Sequence, residues 1–292
     1  MTDYNGKTAV ISGGAEGIGL SIAVALGEQG MNIVLGDIDP AQLALAEETL
    51  SKQGVPVLVL EMDVTKPQDW QRVTEQAIER FGKIHMLVNN AGVSGAPGPI
   101  EHTKHDDWRW VIDTNLMGVV YGAESVVPLI KQHGEGGWLI NVASMAGMMG
   151  VPYANAYTAT KVAVVGMSES WYAELKKHNI HVSVLCPAFV QTRIHLSHRN
   201  RQTQYKDDAP RSERSSGGKN QAQELVENGI PVEIVGKRVV EALNANELYI
   251  FTHPSHREIT KQRAEAIDAA FARAADSPLL QDIDDQPIFS FE

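Results

Sequence analysis

Thr8-Ala9-Val10-Ile11-Ser12-Gly13-Gly14-Ala15-Glu16-Gly17-Ile18-Gly19 sets the pattern of the chain. A short β-branched run enters a glycine-rich turn, and the following SIAVALGEQG (21–30) reads as a helix. That order places a helix N-terminus, with unpaired N–H groups and the positive end of its dipole, behind glycines that admit a ligand close to the backbone. Such a turn can hold an anion. Its spacing is G-x-x-x-G-x-G, not G-x-G-x-x-G, and the same glycines can also serve only a tight turn and close helix packing.

Outward from this unit, apolar strands alternate with longer stretches of helical periodicity. The strands fall at Thr8–Ser12, Asn32–Asp37, Val57–Met62, His85–Asn89, Trp138–Asn141, His181–Cys186 and Leu248–Phe251. Helices are predicted near Gly17–Gln29, Pro40–Gln53, Lys66–Phe81, Asp107–His133, Ala154–His178 and Pro231–Asn244. The stretch from Pro40 follows an aspartate, starts on proline and places Leu43, Ala46 and Leu50 at helical spacing. Nearly unbroken apolar strands such as VSVLC (182–186) suit a sheet covered on both faces. The expected fold is α/β: a single-domain, Rossmann-like, doubly wound parallel sheet of about seven strands with helices on both faces.

The 292 residues are 43% hydrophobic and 21% charged, enough apolar surface for a folded core. The formal net charge of -11 would repel a phosphate backbone, so nucleic acid is not an expected partner. A lone cysteine, Cys186, and no Cys/His cluster exclude an internal disulfide and give no metal site. MTDYNGKTAVISGG lacks the pattern of a secretory leader, and no apolar run reaches membrane-spanning length. A cytoplasmic location without membrane association is the expectation.

Two further positions sharpen the anion-binding turn. Asp37, closing the second strand, lies at the distance from the glycines where a carboxylate meets the hydroxyls of an adenosine ribose. A phosphate on that ribose would be repelled, and neither Ile38 nor Glu16 supplies a compensating cation, so NAD(H) is favoured over NADP(H). With Asp39-Pro40 behind it, Asp37 could instead be a turn or helix-capping carboxylate. In Tyr157-Thr158-Ala159-Thr160-Lys161, a phenol and an ammonium share one face of a helix. A free phenol titrates near 10, and a neighbouring cation is expected to stabilise its phenolate. The pairing alone recurs by chance. Ser144, after WLINVA, can orient a carbonyl oxygen or be an ordinary strand-end serine, and its Ala-Ser-Met-Ala-Gly context is not the G-x-S-x-G of a hydrolase.

Taken in order, these motifs resemble the short-chain dehydrogenase/reductase family over roughly residues 5–250. Ser12, Gly13, Gly17, Ile18 and Gly19 resemble its cofactor turn, with serine for the usual threonine. Asn89-Asn90-Ala91-Gly92 matches the motif after the fourth strand, where Asn90 borders the cofactor. Asp63-Val64 resembles the adenine-contacting pair. The resemblance implies a catalytic tetrad of Asn115, Ser144, Tyr157 and Lys161, with Tyr157 and Lys161 also touching the nicotinamide ribose. The asparagine would help hold water in a proton relay. Val190 and Thr192, in Pro187-Ala188-Phe189-Val190-Gln191-Thr192, are implied at the nicotinamide, although Ala188 replaces a usual glycine. The implied activity is hydride transfer between an alcohol or ketone and the cofactor, in a homodimer or homotetramer. No metal is required.

The polar residues 193–222 read as a mobile substrate lid or a solvated insertion. Arg193, Arg199, Arg201 and Arg211 could favour an acidic substrate there, or simply be solvated. Met145, Met148, Met149 and Phe189 could form an apolar wall or be core. A C-terminal extension, 254–292, follows Leu248–Pro254, which is similar to bacterial lignin aryl-ether alpha-carbon dehydrogenases and points to a bulky hydrophobic or aryl substrate. A non-catalytic dinucleotide-binding regulator is the alternative reading.

Overall fold

The computed structural model describes residues 3–206 and 221–281. Among them, seven strands form one parallel sheet: β1 (Thr8–Ser12), β2 (Asn32–Asp37), β3 (Val57–Glu61), β4 (Met86–Asn89), β5 (Gly137–Val142), β6 (Ile180–Cys186) and β7 (Tyr249–Phe251). Their order is β3-β2-β1-β4-β5-β6-β7. β1 pairs with β2 on one side and β4 on the other, so successive crossovers diverge there and leave a crevice beyond the strands' carboxyl ends. The helices are α1 (Gly17–Glu28), α2 (Pro40–Lys52), α3 (Pro67–Phe81), α4 (His105–Ile112), α5 (Gly118–His133), α6 (Asn155–Leu175), α7 (Gln221–Glu227), α8 (Val232–Asn244) and α9 (Arg257–Ala275).

Strand alternation divides the core into two layers. Ile11 faces a cluster with Ile22 and Leu26 of α1, Leu50 of α2 and Val239 of α8. Its neighbour Val10 faces the opposite cluster, with Trp70 and Val73 of α3 and Val126 and Ile130 of α5. Each large apolar side chain so buried contributes about 1.5–3 kcal/mol. The helix from Pro40 is capped as its sequence suggests, Asp39 accepting from the Gln42 amide. A buried chain from Asn89 to Asn141 to Ser168, both links 2.9 Å, ties β4 and β5 to α6 and fixes that helix against the sheet.

The long helix expected over 107–133 is interrupted. α4 begins at His105, and Asp113–Met117 widens into one π turn before α5. Such a turn inserts a residue without breaking the helix and is common at functional sites; no periodicity announces it. α6 ends at Leu175, where a 3-10 turn leads to Asn179 in the left-handed region (φ 55°).

At the opposite end of the sheet, His85 Nδ1 accepts from the Thr8 amide (3.2 Å) and its Nε2 faces Glu135 Oε2 (3.1 Å). His133 Nδ1 likewise accepts from the Glu135 amide, with Nε2 on the Ile84 carbonyl. Both rings therefore carry their proton on Nε2, and no ring lone pair is left for a metal without breaking a hydrogen bond. Burial holds the His85 pKa below its ordinary 6.5, against the opposing pull of Glu135. A depressed histidine contributes stability that is complete above the unfolded pKa and is lost as pH falls through the folded one. Denaturant unfolding between pH 8 and 5 should therefore show stability declining below about 6.5, with a flatter profile in His85→Gln. Equal slopes would remove His85 as the cause.

Contacts divide the chain into a unit ending at Thr252 and a second one from His253. In the second, α9 has no buried residue and presents Ile259, Ile267 and Phe271 exposed. No helix among the described residues is long and apolar enough to cross a membrane.

Candidate functional site

The glycine turn is locked from below. The Ser12 hydroxyl accepts from the amides of Asn90 (3.1 Å) and Ala91 (3.2 Å), while Asn90 Nδ2 donates to the carbonyls of Ser12 and Gly13 (3.0 and 2.7 Å). The serine hydroxyl thus joins the end of β1 to the segment after β4. Gly13 has φ 59°, and a Cβ there would lie 2.7 Å from Ala91 Cα. Glu16 precedes α1 without capping it, so the helix's first N–H groups remain available to an anion.

Asp37 is buried and accepts from the amides of Ala15 and Asp39, both 3.1 Å. Burial raises its pKa, with the Ala15 hydrogen bond pulling the other way. Asp39, not Asp37, caps α2, so the Asp37 carboxylate keeps lone pairs for a ligand. Asp63 and Val64 follow β3, and Asp63 Oδ2 is buried without a hydrogen-bond partner. Such an orphaned acceptor fits a ligand that brings an N–H donor.

At the other end of the crevice, Tyr157 and Lys161 share a face of α6, with Lys161 Nζ 5.6 Å from the Tyr157 ring centroid. Ser144 begins the turn after β5, accepts from the Ala146 amide (3.1 Å) and donates to the Pro187 carbonyl (3.4 Å), and it lines the same cavity as Tyr157. Lys161, 4% exposed, donates to the Val142 carbonyl at 2.8 Å. Asn115 sits in the π turn, accepting from the Val93 amide (2.8 Å) and donating to the Val93 carbonyl (2.9 Å) and Thr160 (3.4 Å). A Cβ on Gly92 would lie 3.4 Å from Asn115 Oδ1 and 3.6 Å from Lys161 Nζ, so these two groups flank one glycine.

The protein side chains do not by themselves produce the expected phenolate. Burial raises the Tyr157 pKa and outweighs the opposing pull of the Ser144 hydroxyl, while burial also pushes Lys161 down to about 8. The ammonium loses hydration along with the phenol, and one of its N–H groups donates to the Val142 carbonyl.

One cavity is lined by Gly13, Gly17, Ile18, Asp37, Asp63 and Val64, and also by Asn90, Ser144, Tyr157, Lys161, Val190 and Thr192. Ser12 and Gly19 lie behind it: a Cβ at Gly19 would strike the Gly13 carbonyl oxygen. Val190 is fixed by a bridge to Ile230, and Ala188 needs no left-handed backbone in place of a glycine. A glycine turn and a Ser-Tyr-Lys group in one crevice, on this strand order, agree with a match of the short chain dehydrogenase family model to residues 7–203.

The chain belongs to the short-chain dehydrogenase/reductase family. It is 35% identical over 272 residues to a CLA biosynthesis dehydrogenase/reductase of Lactiplantibacillus plantarum, covering 91% of this chain and 95% of that one. A C alpha-dehydrogenase of Sphingobium sp. is 28% identical over 278 residues, with 95% and 90% coverage. A short chain dehydrogenase/reductase from Burkholderia phymatum, solved in complex with NAD, superposes with a TM-score of 0.87 at 33% identity, covering 99% of this chain and 100% of that one. This dehydrogenase/reductase is an enzyme of alcohol–carbonyl oxidoreduction.

Other expectations about this reductase's site change. Met145 is core, packed with Val119 and Val164, and Met148 packs against the same cluster. Neither they nor Met149 and Phe189 line the cavity; its apolar lining includes Val93, Trp110, Ile194 and Val226. Arg193 and Arg199 both pair with Glu16, and Arg201 pairs with Asp107, so none of these stands ready for an acidic substrate. Arg211 lies outside the described residues, as do 207–220 of the segment read as a lid. The preceding part is held in place, with Ser197, Arg201 and Tyr205 buried. Sequence reasoning found no role for Gln202, which bonds Asp63 and Trp110. With 139 positions separating it from Asp63 in a polar stretch, it carried no local signal.

Proposed function

We propose that this enzyme interconverts a bulky hydrophobic or aryl secondary alcohol and its ketone, with NAD(H) preferred over NADP(H). The observation that carries the reading is a single cavity lined by Ser144, Tyr157 and Lys161, with Lys161 Nζ 5.6 Å from the Tyr157 ring, and also by the glycine turn and Asp37. In that arrangement Ser144 holds the substrate oxygen by its hydroxyl, and Tyr157 gives its proton to that oxygen in reduction or takes it in oxidation. Bound NAD(H) supplies or accepts the hydride. Lys161 presents a positive charge beneath the phenol and a donor toward the nicotinamide ribose. The Asn115 side chain has both its N–H donors engaged, so its contribution to a water relay falls to the widened backbone turn around it.

Cofactor preference rests on Asp37, the NAD complex of the Burkholderia neighbour and the absence of a free cation beside Asp37 among the described residues. Lys66 and Arg72, in the adjoining cavity, are paired with Asp63 and Asp69, and Arg193 and Arg199, in the cavity that Asp37 lines, are both paired with Glu16. The apolar lining and the similarity to the Sphingobium C alpha-dehydrogenase support the substrate class. Calorimetric titration should give tighter binding of NADH than NADPH, and Asp37→Ala should weaken NADH by about tenfold to a hundredfold, the scale of a lost hydrogen bond to a charged group. Tighter NADPH binding would overturn the preference. Turnover of benzylic secondary alcohols over small aliphatic ones tests the substrate.

Family resemblance extends to assembly as a homodimer or homotetramer. Native mass measurement should return two or four chains; a monomer at micromolar concentration would contradict it.

A further inference from the structure

Gln202 lies in the polar stretch after β6, yet both its neighbours along this stretch are anchored. Arg201 is buried, pairs with Asp107, donates through Nε to the Tyr205 carbonyl (2.8 Å) and stacks 4.9 Å above the Trp110 ring. Tyr205 joins a buried cluster with Val93, Trp110 and Val111 and donates to Asp113 at 2.7 Å. Burying an arginine and a tyrosine to order a surface segment is costly unless the segment has a use.

The orientation of the Gln202 amide follows from chemistry. An indole N–H can only donate, so the atom 3.0 Å from Trp110 Nε1 is the amide oxygen, and Nε2 faces the other way, 3.0 Å from Asp63 Oδ1. Asp63 Oδ1 then receives three donors: the Thr65 amide (3.0 Å), the Thr65 hydroxyl (2.8 Å) and Gln202. The second oxygen, Oδ2, is buried without a hydrogen bond and has only the half-exposed Lys66 ammonium as an ion-pair partner, at 3.5 Å. One carboxylate oxygen is saturated with hydrogen bonds, and the other, though ion-paired, accepts none. Asp63 and Gln202 both line the cavity that holds Asp37 and the glycine turn.

We propose that Gln202 is a positioning residue for the cofactor's base: by fixing Oδ1 of Asp63 it leaves Oδ2 to accept from the 6-amino group of adenine. The segment after β6 thereby becomes part of adenine recognition. The inference rests on the nicotinamide dinucleotide reading above.

The test compares binding of NADH with that of its reduced hypoxanthine analogue, which carries a carbonyl oxygen in place of the amino group. The wild type should prefer adenine by about tenfold or more, since the analogue sets a lone pair against Oδ2. Gln202→Leu should bring that preference below about threefold, by weakening NADH and leaving the analogue nearly unchanged. KM for NADH should rise while kcat holds. Gln202→Asn, too short to span Trp110 and Asp63, should behave the same way. Equal weakening of both dinucleotides would show a merely structural role and overturn the proposal, as would an unchanged preference. Tighter NADH binding in Gln202→Leu would overturn it too, because the amide would then compete with adenine. If the wild type binds NADH without preferring adenine, the positioning role fails while the cofactor reading stands; if it binds neither dinucleotide, both fail.

Discussion

Replacing Tyr157 by phenylalanine is expected to lower kcat by about a thousandfold or more while leaving NADH affinity within about threefold, the upper range for loss of a general acid–base group. The substitution removes one oxygen from α6 and keeps the ring that packs near Lys161. The Ser144 hydroxyl is still placed by the Ala146 amide and the Pro187 carbonyl. The site should therefore stay assembled and lose only its proton donor. Because burial raises the phenol's pKa, the protonated form dominates at neutral pH. Ketone reduction, which needs that proton, should then hold its rate toward alkaline pH longer than alcohol oxidation holds toward acid. Stopped-flow absorbance with NADH and a ketone measures the loss; a variant within tenfold of wild type would remove Tyr157 from the chemistry.

Lys161→Met should separate stability from activity. Burial lowers the Lys161 pKa from 10.5 to about 8, and a lysine depressed in this way contributes stability above its unfolded pKa that is lost as pH falls through the folded one. At neutral pH the loss is complete and costs roughly 3 kcal/mol of folding free energy. Methionine removes that cost but leaves the Val142 carbonyl without its donor, a penalty of about 1–3 kcal/mol. The net expectation is a protein at least as stable as wild type, by up to about 2 kcal/mol, with kcat/KM reduced by about a hundredfold or more. Denaturant midpoints and turnover on the same preparation decide it. A variant markedly less stable than wild type would mean that the ammonium holds the fold together; full activity would mean that it serves nothing else.

The unequal legibility of the site has a physical cause. A strand followed by Gly13, Gly17 and Gly19 dictates its own geometry, because the turn, the helix start and the anion-binding end lie within twelve consecutive residues. Tyr157 and Lys161 are placed on one face by helix periodicity alone, and the alternation of apolar strands with amphipathic helices leaves a doubly wound sheet as the economical way to bury both faces. These features are local, so they can be read from the chain. The π turn at Asn115 is different: it depends on the Val93 backbone and Thr160, 22 and 45 positions away. The methionines after Ser144 look identical in sequence whether they face a cleft or the core, and only packing sends Met145 inward. The arginines after β6 read as solvated until folding brings Glu16 and Asp107 to them, 177 to 183 and 94 positions distant. The sequence by itself determined the strand–turn–helix units, the parallel sheet and the order of the chemical motifs, since these follow from short-range spacing and hydrophobic period. Only the tertiary structure decided which charges are paired, which oxygen of Asp63 accepts no hydrogen bond and how Gln202 reaches the other one, because those outcomes depend on contacts between residues far apart in the chain.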